Sequence, residues 1–111
     1  NLISRGLDAQ VAHDVAEGMD ATMGECILKL YRDTTQPAMT TLGADLEKAT
    51  ARPGLSVLAT RDHWVGTDLQ RHRAASRAGA QTEVLEGLGH WWFAENPGTA
   101  ARVLKTFWHA L

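Results

Sequence analysis

Two short apolar runs in the second half of the chain, LSVLA at 55–59 and TEVLE at 82–86, constrain its fold more than any other feature. Each is bounded by turn-forming residues and too short for a helix, and a helical stretch, DLQRHRAASRAG at 68–79, lies between them. Strands joined through a helix pair in parallel, because the crossover carries the chain back to the end of the sheet where the first strand began. The pattern therefore predicts an α/β layer with a right-handed crossover. Thr67 and Gln70 stand at capping-box spacing at the start of the intervening helix, and Gly79 suits its end. A second helix follows TEVLE, with Asn96 as cap and Pro97 in its first turn. Ala100, Val103, Leu104, Phe107, Trp108 and Leu111 line one face of it, and that face, Trp108 included, is expected in the core.

The chain reads differently before TARPG at 50–54. Met19, Met23, Ile27, Leu30 and Tyr31 recur at helical spacing and predict a helix over 19–32 whose stripe packs inward. Another helix is expected from Pro37, carrying Met39, Leu42, Leu46 and Ala49, and a short one around Gln10 to Ala16. The organisation expected is thus a helical segment over 1–52 followed by a β-α-β-α unit over 53–111. In the crossover helix, Ala74, Ala75 and Ala78 form the buried side, and Arg71, His72, Arg73 and Arg77 a solvated basic face.

Charge narrows the classes of function. With 11 basic and 13 acidic side chains spread along the chain and a net charge of −2, there is no footprint for nucleic acid or an anionic membrane. The apolar runs fall far short of a bilayer span. The single Cys26 makes no internal disulfide, as suits a reducing cytoplasm, which is the compartment expected. Two parallel strands alone leave both sheet edges unpaired. The chain, which starts at Asn1, is therefore expected to be a piece of a longer protein whose sheet continues upstream, or to complete its sheet as a homo-oligomer.

Functional groups in open α/β sheets gather beyond the carboxyl ends of the strands. Two loops have that address: ATRDHWVGTD at 59–68, with Asp62, His63 and Asp68, and GLGHWW at 87–92, with His90. If the strands are parallel neighbours, both loops leave the same edge, and a carboxylate can orient an imidazole 28 residues away in sequence. Asp68, inside the first helical turn, is the expected partner of the helix dipole rather than of His90. No tight histidine spacing marks a metal site, and GLG opens no phosphate-binding helix. Neither metal nor organic cofactor is expected.

These residues resemble a family. GLSVLATRDHWVG (54–66) is similar to the strand and acid loop of α/β-hydrolases, and VLEGLGHWWFAENPGTAARVLKTFW (84–108) to their last strand, histidine turn and closing helix. The resemblance covers 53–111, and ILKLYRDTTQPAM (27–39) would belong to the end of a helical cap. It implies that this is the C-terminal part of an α/β-hydrolase fold, with Asp62 as triad acid and His90 as triad base, in the family order of serine, acid, histidine. Trp64, Trp91 and Trp92 would line the pocket of a small, ester-like acyl substrate. No Gly-x-Ser-x-Gly occurs, and Ser4, Ser56 and Ser76 stand in other contexts. The nucleophile and oxyanion loop would accordingly belong to an N-terminal core upstream of Asn1, and this chain alone would be inactive. The competing expectation is a non-catalytic domain of the same fold that binds a ligand or partner.

Overall fold

Both apolar runs form strands in the computed structural model, which describes residues 2–111: β1 spans Leu55–Ala59 and β2 spans Gln81–Leu85. They pair in parallel, in register from Leu55 opposite Gln81 to Ala59 opposite Leu85. β2 ends one residue before the expected run, because Glu86 already enters the turn that Gly87 completes at φ 73°. The helices are α1 (Ala9–Glu17), α2 (Ala21–Asp33), α3 (Ala38–Ala44), α4 (Asp68–Arg77), α5 (Trp92–Glu95) and α6 (Pro97–His109), with 3-10 turns at Ile3–Arg5 and Leu46–Ala51. The described residues are thus mixed helix and strand, mostly helical, around a two-stranded parallel sheet.

The local signals explain the second half well. The Thr67 hydroxyl accepts from the Gln70 amide while the Gln70 side chain accepts from the Thr67 amide, so two free donors at the start of α4 are satisfied reciprocally. Ala78 caps the far end, and Gly79 beyond it takes the left-handed φ of 62° that a side chain resists. Asn96 caps α6 by accepting from the Thr99 amide. Leu58 and Val84 share a crevice with Asp68, Arg71 and His72 of α4, while Leu55 and Glu83 share another with Val103 and Phe107 of α6. Side chains at odd spacing along a strand point to opposite faces, so α4 and α6 sandwich the sheet.

Several packing expectations are corrected. The strands are buried at their carboxyl ends, Leu58, Ala59 and Leu85, and more open before them. α6 buries Ala100 and Val103, but Trp108 is 59% exposed and Leu111 71%, because its apolar face is wider than a two-stranded sheet. On α2, which buries no residue, Met23, Leu30 and Tyr31 face solvent, as does Met19 just before it, since no other described element covers that stripe. The helix from Pro37 is cut short: α3 stops at Ala44, and Asp45 leads into the 3-10 turn, which splits Met39 and Leu42 from Leu46 and Ala49. Nor is the basic side of α4 simply solvated. The Arg71 side chain is only 9% exposed, and Arg77 reaches across to the Glu47 carboxylate at 2.6 and 3.0 Å and to the Gly43 carbonyl at 2.8 Å.

Candidate functional site

Where the strands end, the ladder continues through their loops. The Thr60 amide donates to the Leu85 carbonyl at 3.1 Å, the Gly87 amide to the Thr60 hydroxyl at 2.9 Å, and the Arg61 amide to the Leu88 carbonyl at 2.9 Å. Each step advances both loops by about one residue, and the next meeting is side chain to side chain. Asp62 Oδ2 and His90 Nδ1 lie 3.0 Å apart. Parallel pairing therefore brings together the two residues that the sequence singled out.

The two partners differ in exposure. Asp62 is 7% exposed, whereas the His90 side chain is 37% exposed. Asp62 Oδ1 accepts from the Trp64 amide at 2.9 Å, which fixes the carboxylate plane. Burial pushes the Asp62 carboxyl up, but the Trp64 amide, the His90 ring and the charges of His90 and Arg71 outweigh it and hold the group below its ordinary range. An ionised carboxylate only accepts, so His90 Nδ1 carries the proton of this contact and Nε2 of the neutral ring keeps its lone pair. Arg71, from α4, donates to the Ala59 carbonyl at 3.0 Å and also pairs with Asp68. Asp68 thus occupies the first helical turn and takes no part in the contact with His90.

The tryptophans divide. Trp64 lies 6.4 Å from the His90 ring, tilted by 43°, and Trp91 meets it edge-on at 5.4 Å. Trp92 stacks edge-on with Phe93 at 5.8 Å instead. A cleft of about 390 Å³ opens beside the loops, lined by Ser4, Gly6, Arg61, Trp64, Gly89 and Glu95. Trp64 is the one member of the expected aromatic set that lines it.

Glu95 and Arg61 escaped the sequence reading. The Glu95 carboxylate, 12% exposed, accepts the Gly89 amide on both oxygens, at 3.1 and 3.2 Å, and faces the Arg61 guanidinium at 3.4 Å. Glu95 stood in the sequence only as the acidic residue before Asn-Pro. A return contact over six residues follows from the single turn of α5, which has no periodic signature. Among the described residues no cluster of three histidine, cysteine or acidic side chains is placed to hold a metal ion, and no helix is long and apolar enough to cross a membrane. Compared with protein-family models, curated proteins and solved structures, the chain matches none.

Proposed function

We propose that the chain is the C-terminal portion of a serine-type α/β-hydrolase acting on an ester or similar small acyl substrate. The observation that carries this reading is the 3.0 Å contact of Asp62 Oδ2 with His90 Nδ1 at the carboxyl edge of a parallel strand pair. In this reading Asp62 holds the ring in one tautomer and stabilises its protonated form, and His90 Nε2 is the general base. Nε2 takes the proton of a serine hydroxyl supplied from outside these 111 residues as the serine oxygen attacks the acyl carbon. The same proton passes to the departing alkoxide as the C–O bond breaks, leaving an acyl-serine. Water then attacks the acyl-serine by the same route, with His90 again taking and returning a proton. Trp64 and Trp91, beside the ring, supply apolar walls for the acyl group.

The test is labelling of the complete protein by a serine-directed fluorophosphonate. Wild type should label, and His90→Ala should reduce the labelling rate by about 10³-fold or more, since the base is then missing. Undiminished labelling of His90→Ala would sink the role of His90. A wild type that resists the reagent would favour the alternative, a domain of this fold that binds its ligand without turning it over.

A further inference from the structure

We propose that Glu95 is a positioning residue for His90: it holds the backbone of the histidine turn as Asp62 holds the ring. The functional weight of this inference rests on the reading of His90 as a base; its geometry does not. Four consecutive residues of the turn are each held by a contact, and the Gly89 carbonyl also accepts from the Trp92 amide at 3.1 Å. Thr60 takes the Gly87 amide, Arg61 the Leu88 carbonyl, Glu95 the Gly89 amide and Asp62 the His90 ring. The first, second and fourth ties come from the loop after β1. That loop leaves the Gly89 amide, directly before His90, to a carboxylate from the opposite side.

The carboxylate is built in rather than resting on the surface. A Cβ added to Gly89 would lie 2.8 Å from Glu95 Oε1, and one added to Gly6 would lie 3.1 Å from the same atom. Two glycines from distant parts of the chain thus leave the space that Glu95 fills. The Arg61 guanidinium at 3.4 Å balances its charge, and the Arg61 backbone belongs to the adjacent tie at Leu88. One side chain therefore ties the peptide before His90 to Arg61 of the loop after β1. Without it, the peptide before His90 gains freedom and the imidazole loses its single orientation toward Asp62. A base that wanders from its carboxylate spends less time with its lone pair on Nε2, where a nucleophile's proton is taken.

The experiment compares Glu95→Gln, Glu95→Asp and Glu95→Ala in protein labelled with ¹⁵N-histidine, reading which ring nitrogen of His90 is protonated. His90→Gln assigns the signal among the five histidines. Gln keeps an oxygen at the same reach, whereas Asp keeps the charge but is one methylene too short for the Gly89 amide. Wild type and Glu95→Gln should show one tautomer, protonated on Nδ1. Glu95→Asp and Glu95→Ala should show mixed tautomers, with Gly89 amide exchange roughly tenfold faster, the scale of one lost bond to a charged acceptor.

Wild-type tautomer signals in Glu95→Asp overturn the proposal, and so does equal loss in Glu95→Gln and Glu95→Asp, which would place the effect in something other than the amide contact. If Glu95→Ala does not fold, the Gln and Asp variants decide alone, with circular dichroism confirming their folds. The tautomer readout needs no serine. Failed fluorophosphonate labelling with an intact tautomer response rejects hydrolysis and keeps the brace, and the reverse result rejects the brace only.

Discussion

At the scale of single residues, Asp62 carries the largest consequence. Its folded-state pKa is depressed, so the folded protein holds its proton less tightly than the unfolded chain does. Its contribution to stability is therefore complete above the ordinary value of 3.8 and is lost as pH falls through the lower folded value. Asp62→Ala should remove that acid-limb dependence, which urea titrations at a series of pH values would measure. At neutral pH it should cost about 1–3 kcal/mol, because the His90 ring and the Trp64 amide both lose their acceptor. An unchanged acid limb in the variant would assign the depressed group elsewhere. Asp62 and His90 were legible in the sequence because strand order alone places both at one edge. Glu95 was not, since its partner Gly89 is reached through a local turn that no spacing rule anticipates.

Among the elements, the capped helices and the parallel strand pair match their expected places, whereas the end of α3, set by a distant contact, does not. The capping box of α4 and the Asn-Pro start of α6 are short-range devices, so their residues name them directly. Thr67→Ala should cost α4 about 1 kcal/mol, readable as a lowered unfolding midpoint. The break of α3 at Asp45, by contrast, follows ties across 30 and 34 residues, in which Arg77 holds the Glu47 carboxylate and the Gly43 carbonyl. The Arg77 hydrogen bond, with help from the Glu47 backbone, lowers the Glu47 pKa to about 2 from 4.5. This depressed carboxylate stabilises the tie above pH 4.5, and the contribution fades as pH falls through about 2. Arg77→Met should speed amide exchange across residues 38–51 and leave that of β1 and β2 unchanged. Equal acceleration in the strands would show that the tie supports the sheet as well.

Taken whole, the molecule is too open for its length. Its radius of gyration is 16.1 Å, against about 13 Å for a compact domain of this size. Its accessible surface is 8304 Å², against about 6,000 Å² expected for a folded monomer of its mass. The excess of about 2,300 Å² on one chain exceeds the roughly 800 Å² that each partner of an ordinary stable interface buries, and is on the scale of one partner's share of a large obligate one. It falls on the stripe of α2 and on Trp108 and Leu111 at the end of the chain, where the sequence led us to expect a core, and on the sheet edges that two strands alone leave unpaired. Alternation along the sequence disclosed that these faces are apolar, but a single chain's pattern does not say what lies against them. The 111-residue chain alone should therefore bind an apolar dye such as ANS and sediment as a concentration-dependent mixture. A dye-silent species with one monomeric sedimentation coefficient at all concentrations would contradict this, because it requires the apolar faces to close on one another within the chain. Leu30→Lys on α2, 60% exposed, should weaken the association without unfolding the sheet, because the uncovered stripe of that helix takes part in it.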